Sequence, residues 1–131
     1  MNTGQGARRI LVVEDEREIA DLIRYYLGQA GYDVVIAATG AIALESLRAG
    51  EFDLITLDIH LPDLDGYAVL REIRTDPLTA TTPVLIVSIL PNDGRGTNLG
   101  ANAVITKPLE KHKLLETVRH LIAADSRGSP L

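Results

Sequence analysis

Three carboxylates, a hydroxyl and an ammonium group stand in this 131-residue sequence at the ends of short apolar runs. Asp58 ends the run at residues 54–57 and opens a turn-forming stretch, His60-Leu61-Pro62-Asp63-Leu64-Asp65-Gly66. Glu14 and Asp15 follow the run at 9–13, Ser88 closes the run at 83–88, and Lys107 follows the run at 103–106. Converging carboxylates repel one another unless a cation or a proton lies between them. An oxygen-only donor set, with no Cys and no paired His, suits Mg²⁺ or Mn²⁺. One carboxylate then remains as a nucleophile, and aspartate carries a covalent phosphoryl group. A serine hydroxyl and the compact charge of a lysine both suit phosphoryl oxygens. The chemistry these residue types suggest is an aspartyl phosphate on Asp58, with metal on one side and Lys107 on the other.

That chemistry needs elements that bring the five groups together. Short apolar runs bounded by turn residues read as buried strands. Five are expected, over residues 9–13, 32–37, 52–58, 83–88 and 103–106. Between the first two, Ile19, Leu22, Ile23, Tyr26, Leu27 and Ala30 recur at helical spacing, and Gly31 stops the helix. Thr39 is the expected N-cap of a second helix bearing Ala43, Leu44 and Leu47 and closed by Gly50. Asp65 is the expected cap of a third, with Leu70 and Ile73 inward, ended by Asp76-Pro77. Residues 91–102 hold three glycines and a proline, so the fourth helix should be short or degenerate. Pro108 is expected to open a last helix burying Leu114, Leu115, Val118 and Ile122.

Strands alternating with helices imply right-handed βαβ units and a parallel sheet covered on both faces. The expected fold is α/β, three layers α/β/α around a five-stranded sheet of order 2-1-3-4-5, flavodoxin-like. In such sheets ligands bind beyond the carboxyl ends of the strands, where the strand order reverses. That rule sets Glu14 and Asp15 beside Asp58. Residues 1–7 read as a flexible lead-in, 8–123 as one domain and 124–131 as a flexible tail.

Composition narrows the function classes. Cysteine is absent, which excludes disulfides and thiolate metal sites and fits a cytoplasmic setting. No apolar run reaches the roughly 18 residues of a membrane span, so no membrane insertion is expected. The net charge of −5 comes without a basic stripe and argues against direct nucleic-acid binding.

Each site residue also has a plainer reading. Asp58 could simply start its turn, Asp15 with Glu18 could be a helix-capping pair, Ser88 a strand-end hydroxyl on backbone, and Lys107 a solvated loop residue. Four separate strand ends would each have to carry a polar group by coincidence.

With these residues in place, the chain over 8–123 resembles the receiver domain of two-component response regulators. Glu14-Asp15 resembles the acidic pair, Asp58 the phosphoacceptor, residues 61–66 the turn after it, Ser88 the Ser/Thr position, and Lys107-Pro108 the lysine with its proline. The resemblance implies Mg²⁺ held by Asp15, Asp58 and the backbone carbonyl of His60, with Glu14 acting through water. It implies a cis Lys107–Pro108 peptide and a phosphoryl donor that is a histidine kinase or histidine phosphotransfer domain. It also implies a phosphoacceptor rather than an enzyme, one that assists its own phosphorylation and dephosphorylation and switches a surface read by a downstream protein or domain.

Three positions depart from the family pattern. Val104 stands where an aromatic residue is usual, and Ile89 follows Ser88 where a small residue is common and is expected to crowd the phosphoryl pocket. The stretch from Ser88 to Lys107 is shorter than usual, a variant similar to receivers of hybrid histidine kinases. These departures leave a receiver-like binding module that is never phosphorylated as the alternative. Two other classes fit less well. An aspartyl-phosphate phosphohydrolase needs an acid where His60 stands, and a flavodoxin-like nucleotide binder would set its phosphate against Glu14-Asp15-Glu16.

Overall fold

Side chains alternate across a strand, so an apolar run with no polar break must bury both of its faces. A computed structural model of the chain, described over residues 7–125, shows five strands between helices, the three central ones buried on both faces and the two edge strands only partly. The elements are β1 (Arg9–Val13), α1 (Arg17–Gln29), β2 (Asp33–Ala37), α2 (Gly40–Ala49), β3 (Leu54–Leu57), α3 (Gly66–Thr75), β4 (Val84–Ser88), α4 (Arg95–Asn98), β5 (Ala103–Thr106) and α5 (Lys111–Ala124). The strands lie in the order β2-β1-β3-β4-β5 and every pairing is parallel, as expected.

Alternation divides the core in two. Leu11, Val13, Ile55, Leu57 and Ile86 face Ala43, Leu47, Leu70 and Ile73 of α2 and α3. Ile10, Val12, Leu54, Leu85 and Val87 face Ile23, Leu27, Leu114 and Val118 of α1 and α5. Truncating one such buried Leu or Ile to Ala typically costs about 2–5 kcal/mol.

The caps explain several boundaries. Thr39 Oγ1 accepts from the Ile42 amide at 3.1 Å, and Asp65 Oδ1 from the Tyr67 amide at 2.9 Å, as expected. Gly31 follows α1 with φ +96°, a left-handed turn that favours glycine.

Several expectations need correction. Pro108 does not open α5: the Lys107–Pro108 peptide is cis, as the resemblance implied, and the helix begins three residues later. Glu110 caps it, accepting from the Lys113 amide at 2.9 Å and the His112 amide at 3.3 Å. Leu22 is 38% exposed, because Ala20 takes the inward position beside Ile23 and Leu27. Ala30 is the exposed C-cap of α1 and no part of its buried face. Tyr32, Phe52, Asp58 and Pro83 lie just outside the strands. Ala124 belongs to α5, while residues 1–6 and 126–131 of the expected flexible ends lie outside the described residues.

The connection from β4 to β5 is as short as expected, with only four helical residues. Arg74 of α3 braces it. Its Nε donates to Gly100 O at 2.9 Å, Nη1 to Thr82 O at 2.8 Å, and Nη2 to Asn102 Oδ1 at 2.9 Å. Within α4, Gly96 lies against Ile86 so closely that a Cβ would fall 2.4 Å from Ile86 Cδ1, with Val104 Cγ2 at 3.8 Å. The small residue at 104 and the glycine of α4 therefore fit each other.

Gly66 lies hard against backbone. A Cβ there would lie 2.4 Å from Ile59 Cα and 2.7 Å from Asp58 O, both backbone atoms. Gly66→Ala is expected to destabilise the protein by about 3 kcal/mol, the upper end for forcing atoms into a packed site. Gly28→Ala, in α1 with nothing within 4 Å of the new Cβ, is expected to stabilise it by up to about 1 kcal/mol. Urea denaturation of the two variants beside the wild type checks both signs.

Candidate functional site

Strand register assembles the site. Val13 pairs with Ala37 on one side and Leu57 on the other, so β1, β2 and β3 end at one level. One hydrogen bond beyond each strand then fixes the next residue. The Glu14 amide donates to Ala37 O at 3.0 Å, the Asp58 amide to Val13 O at 3.0 Å, and the Lys107 amide to Ser88 O at 2.8 Å.

Side-chain geometry follows from that edge. Lys107 Nζ lies 3.0 Å from Glu14 Oε1, 3.2 Å from Asp58 Oδ2 and 3.9 Å from Glu16 Oε1. The Lys107 side chain is 7% exposed and that of Glu14 1%, so this ion pair is almost dry. The second oxygen of each buried carboxylate takes a backbone amide. Glu14 Oε2 accepts from Glu16 N at 3.2 Å, and Asp58 Oδ1 from His60 N at 3.1 Å. No buried side-chain nitrogen or oxygen among the described residues lacks a partner.

Burial pushes Glu14 up to about 7: desolvation dominates, the Lys107 hydrogen bond works against it, and the Asp58 charge adds to it. Burial alone would pull Lys107 down. The Glu14 hydrogen bond and the charges of Asp58 and Glu14 outweigh it and raise Lys107 above its ordinary value. Lys107 therefore stays protonated throughout the range in which Glu14 titrates.

Asp15 stands at the exposed mouth of this cluster, and one oxygen from each of Glu14, Asp15 and Asp58 falls within 4.8 Å of the others. Three carboxylates against one ammonium leave the cluster net negative. An all-oxygen set of that charge fits a hard divalent cation such as Mg²⁺. The capping reading of Asp15 fails, since Glu16 is the N-cap of α1 and makes no side-chain cap bond.

Ser88, at 1% exposure, ends β4 with its Oγ accepting from the Leu90 amide at 3.2 Å. Ile89, just past the last strand residue, is 64% exposed. Val104 borders a cavity of about 10 Å³ shared with Ser88, Ile86 and Gly96, no larger than a single water. A wider cleft of about 570 Å³ opens beside Asp58, walled by Asp15, His60, Leu61, Leu90 and Arg95.

Two contributors escape a reading of the sequence. Tyr67, 7% exposed, carries the Arg95 guanidinium 4.1 Å from its ring centroid and so joins α3 to α4 beside the cleft. Its spacing from Leu70 and Ile73 marks Tyr67 as inward, but nothing in the sequence pairs it with Arg95. Asp63 is the other: its carboxylate accepts from the Gly40 and Ala41 amides of α2.

Comparison with known proteins agrees with this geometry. Residues 10–119 match the family model of the response regulator receiver domain. The transcriptional regulatory protein DltR of Streptococcus agalactiae is 40% identical over 114 residues, 85% of this chain and 50% of that protein. The chain spans about half the length of the curated relatives it matches. The signal receiver domain of a signal transduction histidine kinase from Syntrophus aciditrophicus superposes with a TM-score of 0.86 at 31% identity, covering 95% of this chain and 97% of that one. The receiver domain of sensor histidine kinase PA1611 from Pseudomonas aeruginosa, solved with magnesium coordinated in its active-site cleft, gives 0.84 at 29% identity, covering 91% and 100%. The acidic cluster at the carboxyl edge of a 2-1-3-4-5 sheet and the match over 10–119 agree: this chain belongs to the response regulator receiver domain family.

Proposed function

We propose that residues 8–123 form a phosphoacceptor domain that takes a phosphoryl group onto Asp58 from a phosphohistidine on a kinase or phosphotransfer partner. The observation that carries this reading is Lys107 Nζ, which lies 3.2 Å from Asp58 Oδ2 and 3.0 Å from Glu14 Oε1 at the carboxyl edge of the sheet. An Asp58 oxygen attacks phosphorus, the P–N bond of the donor breaks, and the imidazole leaves with the bond's electron pair. Lys107 faces an Asp58 oxygen that gives up its negative charge when the acyl phosphate forms, and its ammonium can shift from the carboxylate to a phosphoryl oxygen without leaving the site. Glu14 keeps that ammonium anchored on the far side. Asp15, Asp58 and the His60 carbonyl are the groups that would hold Mg²⁺, with Glu14 acting through water. When bound, the cation neutralises charge on the phosphoryl oxygens and on the carboxylates around them.

Ser88 carries the consequence outward. Its hydroxyl retains a proton to donate to a phosphoryl oxygen, and its Oγ also holds the Leu90 amide at the start of the β4–α4 segment. A turn of this hydroxyl toward the phosphoryl group loosens that amide and shifts the populations of the segment running to α4. With Val104 in place of an aromatic residue, the signal is read from the β4–α4 segment. The reader is a downstream protein or an attached domain. No helix among the described residues is long and apolar enough to cross a membrane, and the setting that suits a kinase-fed acceptor without cysteines is the cytoplasm. The family match over residues 10–119 and the convergence of Glu14, Asp15 and Asp58 favour this reading over a module that is never phosphorylated.

Intact mass after incubation with acetyl phosphate and Mg²⁺ should show one phosphoryl adduct, absent with chelator and absent in Asp58→Asn. An adduct that persists in Asp58→Asn, or none under any condition, would overturn the proposal. The pH dependence of the metal-free protein is a second check. Because the folded-state value of Glu14 lies above its ordinary 4.5, at about 7, the folded state binds more protons between those values. The contribution of Glu14 is therefore fully present below about pH 4.5 and is lost as pH rises through about 7. Urea titrations across that range should show this slope, and Glu14→Gln should flatten it.

A further inference from the structure

The loop from Asp58 to Gly66 holds the phosphoacceptor and the His60 carbonyl, and it closes on itself. The Gly66 amide donates to Ile59 O at 2.9 Å, and His60 and Asp65 form an antiparallel bridge. Between those closures the chain reaches out to a helix that bears no site residue. Asp63 Oδ1 accepts from the Gly40 amide at 2.8 Å and Asp63 Oδ2 from the Ala41 amide at 3.0 Å, both in the first turn of α2. Leu64 fills the notch left by Gly40, where a Cβ would lie 2.8 Å from Leu64 Cδ1.

Helix α2 already has its own cap in Thr39. Asp63 takes the two first-turn amides that Thr39 does not, so one carboxylate ties the loop to a helix 23 residues away. Hydrogen bonds from amides at a helix N-terminus to a carboxylate are charge-assisted and favoured by the helix dipole. The two amides accordingly hold Asp63 below its ordinary value.

We propose that Asp63 is a positioning residue for the phosphoacceptor site, docking the loop on α2 so that the Asp58 carboxylate and the His60 carbonyl face one cation together. This rests on the reading that the site binds Mg²⁺, and it adds α2 to the elements that build the site.

The test compares Asp63→Ala, Asp63→Asn and Thr39→Ala, the last removing the helix cap and leaving the loop contact. Calorimetric Mg²⁺ titration should show about a tenfold loss of affinity in Asp63→Ala, in the range found when groups supporting metal ligands are removed. Asp63→Asn, which keeps one acceptor oxygen, should lose less, and Thr39→Ala should bind as wild type despite a lowered melting temperature. In metal-free protein, amide exchange at His60 and Gly66 should quicken in Asp63→Ala and not in Thr39→Ala. Unchanged loop exchange in Asp63→Ala, or the same losses in Thr39→Ala, would overturn the proposal. A wild type that takes up no Mg²⁺ would instead overturn the metal reading, with the exchange comparison still deciding whether Asp63 holds the loop.

Discussion

Everything at the carboxyl edge of this sheet depends on one ammonium group set between two buried carboxylates. Two unit charges of like sign about 4 Å apart repel by about 4 kcal/mol at an effective dielectric constant near 20. Glu14 and Asp58 are tolerated together because Lys107 Nζ lies 3.0 Å from one and 3.2 Å from the other, and because a backbone amide takes the remaining oxygen of each. Asp15 then adds a third carboxylate at the mouth, which the lysine does not balance. The cluster is satisfied in its hydrogen bonds and unsatisfied in its charge. That combination favours binding of a dication or of a group that brings one.

The fold supplies this arrangement through backbone register more than through side-chain choice. Parallel strands ending at one level place successive carboxyl ends side by side, and a single ladder-like bond past each end fixes Glu14, Asp58 and Lys107. Two apolar cores, one on each face, make the register costly to shift, because a one-residue slip would turn Ile55 and Leu57 from one core to the other. The departures around the fourth helix are absorbed locally. Gly96 packs on Ile86 and Val104, and Arg74 holds the carbonyls of the short crossover.

Much of this was legible in the sequence. Asp58 shows itself as a charge closing an apolar run, and Glu14, Asp15, Ser88 and Lys107 repeat that signal at three other strand ends. Thr39 and Asp65 announce their helices, since a capping side chain acts on amides two or three residues away. What the sequence hides is contact at long range or choice between near neighbours. Asp63 reads as a turn residue until α2 is seen beside it, and Arg74 as a surface cation until Gly100 and Asn102 fold back on it. Leu22 competes with Ala20 for the same inward stripe, and the period alone does not decide between them. Pro108 fits a helix start by type, yet Glu110 offers a carboxylate to two amides and sets the boundary there.

The central claim is that Asp58, among the acids crowded at this edge, is the group that accepts the phosphoryl. Borohydride reduces an aspartyl phosphate to homoserine, so reduction after acetyl phosphate treatment followed by peptide mass mapping reads the position directly. Homoserine at residue 58, with Asp15, Asp63 and Asp65 intact, is the expected result. Reduction at one of those neighbours, with residue 58 still aspartate, would contradict it.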